Sequence, residues 1–194
     1  HVAQMWGHLV MLEAKNFVPQ CKFAAAQAAA VTACDSMDGV ADGVIEDPTR
    51  CAYDPKPLVG ASAGECGAFT EADADVIRKI WQGPRRQDGS FLWYGLPRGA
   101  DFRLNATGGT PPTVPGLASD WWKYFLTQNP QWDWTTLTPG AYEQSWDQSV
   151  EELGAVLGTD HPDLSAFRDR GGKAVVWHGW ADPGIYPQGS IDYY

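Results

Sequence analysis

Between Cys34 and Cys51 the chain runs Asp-Ser-Met-Asp-Gly-Val-Ala-Asp-Gly-Val-Ile-Glu-Asp-Pro-Thr-Arg, an acidic loop punctuated by glycines with a cysteine at each end. Hard cations such as Ca²⁺ take roughly six to eight oxygens from carboxylates and backbone carbonyls in a tightly turning chain. Asp35, Asp38 and Asp42 supply charge. Gly39 and Gly43 permit turns that aim carbonyls, such as those of Val40 and Val44, at the same point. A disulfide between Cys34 and Cys51 would staple the loop shut. A single Asp-Gly pair reads as an ordinary surface turn; three spaced carboxylates, two glycines and bracketing cysteines point to a cation site. The loop is not an EF-hand, which needs oxygen ligands at its third and fifth positions. Counted from Asp35, those positions hold Met37 and Gly39, so Glu46 at the twelfth is an accident of spacing.

A second constellation closes the chain. Gly171-Gly172-Lys173-Ala174-Val175-Val176-Trp177-His178-Gly179 carries a short apolar run bounded by glycines, the pattern of a buried parallel strand. Asp182 follows on the next loop, where open α/β sheets place functional groups. Its bland alternative is a turn or cap residue before Pro183. Gly60-Ala61-Ser62-Ala63-Gly64 matches the G-x-S-x-G nucleophile motif by letter. That motif counts only between a strand and a helix; Pro55-Lys56-Pro57 precedes it and Cys66-Gly67 follows, so Ser62 is rejected. His1 and His8 read as packed or solvated residues of the first helix, His161 as a connector before a proline, and His178 as structural. Arg85, Arg86 and Arg98 are read as solvated surface rather than as anchors for an anionic substrate.

The elements that must position these residues follow from periodicity. Val2, Met5, Trp6, Leu9, Val10 and Leu12 have helical spacing, ended by Pro19. Alanine-rich 22–33 forms a second helix leading into the acidic loop. Thr70 caps a third over 71–82, with Glu71 and Asp73 at its positive end, and Gly83-Pro84 stops it. Residues 52–68 and 84–116 are irregular. Asp120 caps a helix through Trp121–Leu126; further helices lie at 139–153 and 164–170, and Ile191–Tyr194 reads as a helix start. Asn105-Ala106-Thr107 matches an N-glycosylation acceptor, a weak signal.

The chain has 194 residues, 44% hydrophobic, with ten tryptophans, which suits a substantial core. It holds no run of about eighteen apolar residues, which argues against a transmembrane helix. Its formal charge of −10 disfavours nucleic acid and anionic membranes as partners. Four cysteines without zinc-type CxxC spacing suggest an oxidising compartment, secreted or periplasmic. Sequence leaves their connectivity open, with Cys21–Cys66 one option for a second bridge. The ends read as those of an internal piece of something longer.

The Cys-Asp-x-x-Asp-Gly-x-x-Asp-Gly-Val-Ile-x-Asp-Pro-x-x-Cys loop, followed far downstream by Trp-His-Gly-Trp-Ala-Asp, resembles the tannase and feruloyl esterase family. These are secreted α/β-hydrolases with a large lid inserted into the core, and they include the hydrolase of mono(2-hydroxyethyl) terephthalate. The resemblance implies an α/β-hydrolase fragment: a mostly helical and irregular lid over 1–165, and one core strand with its following loop over 166–194. It implies structural Ca²⁺ held by Asp35, Asp38 and Asp42 with the backbone oxygens of Val40 and Val44, and a Cys34–Cys51 bridge. Asp182 then matches the acid of a Ser-Asp-His triad, which holds the imidazole's tautomer and stabilises its cation. The nucleophile and the triad histidine lie outside the chain, so this segment by itself is expected to be inactive. The expected partners are an aromatic ester, feruloyl, galloyl or similar, and the rest of the hydrolase domain. Trp93, Tyr94, Trp121, Trp122, Trp132 and Trp134 are candidates to stack on a phenolic ring, although most should be core. Two departures stand out. Gly60 replaces a cysteine common in relatives, leaving Cys66 for Cys21 or unpaired; Gly184 replaces a bulkier residue after the acid, which would alter the pocket wall or loosen the loop. The competing reading is a stand-alone Ca²⁺-dependent module that binds carbohydrates or phenolics without catalysis.

Overall fold

Three helices at the N-terminal end form the main core of the structure, a computed structural model that describes residues 1–105 and 109–194. A 3-10 turn over Val2–Met5 runs into α1 (Trp6–Ala14), which ends where Lys15 turns left-handed at φ 49°. Helix α2 (Gln20–Cys34) starts directly after Pro19, whose missing N–H costs nothing at a helix start. Its alanines serve packing as well as propensity: Ala26 and Ala30 are fully buried and let neighbouring side chains approach the backbone. Helix α3 (Glu71–Gln82) has the expected cap completed into a box. Thr70 Oγ1 accepts from the Asp73 amide at 3.1 Å, and the Asp73 carboxylate accepts from the Thr70 amide at 2.8 Å. Gly83 ends it at φ 78°; a Cβ there would collide with the backbone of 93–95.

Val10, Met11, Phe23, Val76, Ile77, Ile80, Trp81, Leu96, Phe102 and Tyr186 fill one cluster between these helices. A second lies on the other side of α1, where Met5 and Leu9 meet Trp122, Leu126, Leu137 and Tyr142. Buried Asp73 joins the helices by a polar knot, accepting from Lys22 Nζ at 2.6 Å and from Asn16 Nδ2 at 3.0 Å. Both cysteine pairs are bonded, Cys21–Cys66 and Cys34–Cys51, so Cys66 takes the first of its two options.

The second half is helical but less regular. Helix α4 (Gly116–Asp120) continues without a break into a π-helical turn, Trp121–Leu126. Asp120 is therefore the last residue of α4 and not a cap; Pro115 occupies the N-cap position. Helix α5 (Pro139–Gln148), capped by Thr138, passes into a second π-helical turn, Ser149–Leu153, and then α6 (Gly154–Leu157). The two turns touch, Trp121 Nε1 donating to Ser149 Oγ at 3.1 Å. Short helices α7 (Ser165–Asp169) and α8 (Gln188–Tyr193) complete the chain.

The segment 171–179 differs from expectation. It is not a buried strand: Val175, Val176 and Trp177 are 84%, 66% and 85% exposed. A strand exists only through its neighbour's hydrogen bonds, and among the described residues pairing is limited to three isolated bridges elsewhere, Val59–Phe69, Ser62–Ala68 and Arg85–Phe91. Of the glycosylation acceptor, Ala106 and Thr107 lie outside the described residues. Asn105 is buried with its side-chain amide pressed against Gly7, a setting that leaves no room for a glycan in the folded chain.

Candidate functional site

Asp182 sits in the turn that follows the exposed segment. Its Oδ1 accepts from the amides of Gly184 at 2.7 Å and Ile185 at 3.0 Å. Its Oδ2 lies 3.4 Å from His178 Nε2. Partial burial opposes ionisation, but the amide bonds of Ile185 and Gly184 and the contact with His178 outweigh it and hold the carboxyl below the usual range. The result is an ionised carboxylate with one oxygen anchored by backbone and the other presented. His178 is engaged on both nitrogens: Nε2 meets the Ile185 carbonyl at 2.9 Å, and Nδ1 meets Ser190 Oγ at 2.7 Å. Tyr186 is buried in the first core cluster and seats the turn on the helices. Gly184 is also buried; a Cβ there would come within 3.2 Å of Leu117, so the small residue keeps the turn close-packed rather than loose.

Nothing in the sequence announced Ser190 or the Ile185 carbonyl as partners of His178. The only local signal was the four-residue spacing of His178 and Asp182, and it carries no meaning outside a helix.

The acidic loop is bridged and anchored. Ile45 packs under the Cys34–Cys51 bond, while Asp38 and Asp42 are exposed. Gly39 and Gly43 are left-handed, at φ 93° and 82°. Asp35 reaches across the loop to accept from the amides of Asp42 and Gly43, each at 3.1 Å. Asp38 and Asp42 form Asx turns, accepting from Val40 N at 2.8 Å and Val44 N at 3.1 Å. The donor set fits a hard divalent cation in kind, with three carboxylates and free carbonyls on one short, covalently closed loop. Among the described residues, however, no three acidic, histidine or cysteine side chains are gathered as a metal cluster; the aspartate oxygens turn toward backbone amides instead. One face of the loop borders a cleft of about 710 Å³, shared with Gly179, Trp180 and Ala181 just before the acid.

Other candidates have structural roles. Ser62 lies in an irregular turn bridged to Ala68, with no strand before it and only a three-residue 3-10 turn, Gly64–Cys66, after it. Arg86 pairs with Asp147, Arg98 lies over Trp81 while donating to the Tyr53 carbonyl, and Arg85 covers Phe91. Trp122 is buried and stacks on Trp132 at 5.0 Å, and Trp134 meets His8 and Phe17 edge-on. Trp121 stacks on Phe125. Trp93 differs: with Trp146, Val176, Ile185 and Tyr186 it lines an open groove of about 520 Å³ beside the acid-bearing turn.

The fold is one shared with solved ester hydrolases. Feruloyl esterase B from Aspergillus oryzae superposes with a TM-score of 0.79 at 26% identity, covering 100% of this chain and 39% of that one. Tannin acyl hydrolase from Aspergillus niger superposes at 0.87 with 22% identity, over 99% of this chain and 38% of that one, a likeness of fold. A family model, tannase and feruloyl esterase, matches residues 1–194, and the chain belongs to that family. It is 38% identical to a probable feruloyl esterase of Arthroderma benhamiae over 97% of this chain and 36% of that protein. It is 31% identical to feruloyl esterase C of Talaromyces stipitatus over 93% and 33%. The chain thus spans about a third of the length of the curated relatives it matches.

Proposed function

We propose that this chain is the lid and acid-bearing loop of a secreted carboxylic ester hydrolase that cleaves aromatic esters, feruloyl or galloyl, through a Ser-His-Asp triad. Residues 1–165 form the lid and 166–194 belong to the hydrolase core; the serine and histidine are supplied by sequence outside this chain. The observation that carries the reading is Asp182 itself. A triad acid must stay ionised, keep one oxygen fixed and offer the other to an imidazole N–H, and Asp182 has Oδ1 tied to two backbone amides. Family membership supports the reaction class, and the two disulfides support an oxidising destination.

In this reading Asp35, Asp38 and Asp42, with the carbonyls of Val40 and Val44, hold a structural Ca²⁺. The ion would supply charge neutralisation for a loop that otherwise repels itself. The carboxylates' unused lone pairs would bind it while the Asx turns stay in place.

In the intact esterase, Asp182→Asn should lower kcat on a feruloyl ester by about 10⁴-fold, since it presents the wrong hydrogen-bonding group to the histidine; a loss under tenfold would remove Asp182 from the triad. The 194-residue chain alone should turn over no feruloyl or galloyl ester. Turnover abolished by Ser62→Ala would reinstate the rejected serine. Ca²⁺ at about 100 times its Kd should stabilise the chain by about 2.7 kcal/mol in denaturant melts. Asp38→Ala should remove that gain, and an unchanged gain would place the ion elsewhere.

A further inference from the structure

We infer that His178 is a positioning residue for the Asp182 carboxylate, a role that rests on Asp182 being the triad acid. A carbonyl oxygen can only accept, so the 2.9 Å contact with the Ile185 carbonyl puts the ring proton on Nε2. With that tautomer the lone pair lies on Nδ1, and the Ser190 hydroxyl, 2.7 Å away in α8, donates to it. The same Nε2–H leans toward Asp182 Oδ2 at 3.4 Å. Ile185 is therefore held from both sides, its amide by Asp182 Oδ1 and its carbonyl by His178. The ring of contacts His178–Ile185–Asp182 fixes the rotation of the carboxylate, and Ser190 fixes the rotation of the imidazole.

Serine, imidazole and carboxylate in this order also resemble a second hydrolytic triad. Two features argue for positioning instead. The Ile185 carbonyl already takes the N–H that a triad acid would need, and its contact is shorter than that of Asp182. Ser190 sits within the short helix α8, not on the strand-to-helix turn that exposes a nucleophile.

Nitrogen-15 NMR of the His178 ring in the full chain at pH 8 should show one neutral tautomer, protonated at Nε2. A ring protonated at Nδ1, or one exchanging evenly between tautomers, would overturn the inference whatever the esterase does. In the intact esterase, His178→Ala should lower kcat on a feruloyl ester about 10–100-fold with KM within twofold, because a misplaced catalytic group costs rate rather than binding. His178→Gln, which keeps a side-chain N–H donor, should recover most of that loss. Equal losses in both variants, or a change confined to KM, would reduce His178 to a packing residue. Hydrolysis by the 194-residue chain that Ser190→Ala abolishes would overturn the assignment in favour of a second nucleophile. An intact wild-type esterase without activity on aromatic esters would instead sink the proposed function, and the ring tautomer would still decide the role of His178.

Discussion

His8 is fully buried in α1 with neither ring nitrogen hydrogen-bonded, its edge set against Trp134. Burial, opposed in part by the nearby Gln4 carbonyl, pushes its pKa down to about 4. The unfolded chain takes up this proton near its ordinary value of 6.5, well before the folded chain does. Stability is therefore lost as pH falls from about 6.5 to about 4 and levels off below, by about 3 kcal/mol in all. His8→Leu should flatten the dependence, measured by urea unfolding at pH 7 and pH 4.5; equal losses in parent and variant would assign the titration to another group. Carboxylates held low, such as Asp54 at about 2, act in a lower pH window and do not confuse the measurement. At this scale legibility follows the range of the interaction. Asp182 and the loop aspartates each belong to a short motif, so the sequence alone singles them out as candidates. His8 was legible only as packed or solvated, since its burial against Trp134 is set by chain more than a hundred residues away.

Among the elements, α3 shows both sides of that division. Its cap was readable at Thr70 because a capping box is complete within four residues. That Asp73 also receives Lys22 and Asn16, and so ties α2 and the end of α1 to α3, depends on how the helices pack. Removing one side of a buried charged pair strands the other. Asp73→Ala should cost about 3–5 kcal/mol in denaturant melts, whereas a loss below 1 kcal/mol would mean that Lys22 finds water. The start of α4 was misplaced because Asp120 is an equally good cap wherever a helix begins; Pro115 and the turn after it move the start upstream. The π-helical register of Trp121–Leu126 has no local signature either; it accompanies a run of large aromatics that must serve both a buried cluster and the contact with Ser149. The apolar run at 173–179 has strand composition, but composition alone cannot supply a neighbour to pair with.

For the whole molecule, that unpaired run is a departure from a self-contained fold. Val175, Val176 and Trp177 are apolar and exposed, and exposed apolar patches mark surfaces meant for another body. The proposed occupant is the rest of the hydrolase sheet. Amides of residues 173–179 should exchange with solvent at near-unprotected rates in the isolated chain and become protected in the intact esterase. Fast exchange in both would deny that this run joins the sheet. The same end of the chain is bound tightly to residues 1–165: Tyr186 is buried among α1–α3, Gly189 lies against Trp93, and the Tyr193 hydroxyl donates to the His161 carbonyl at 3.0 Å. If residues 1–165 are the proposed lid, transplanting that lid between relatives to exchange specificity carries a constraint on the splice. A crossover at 165/166 would cut through all three contacts, so residues 1–165 and the turn and helix that follow Asp182 should be moved as one cassette.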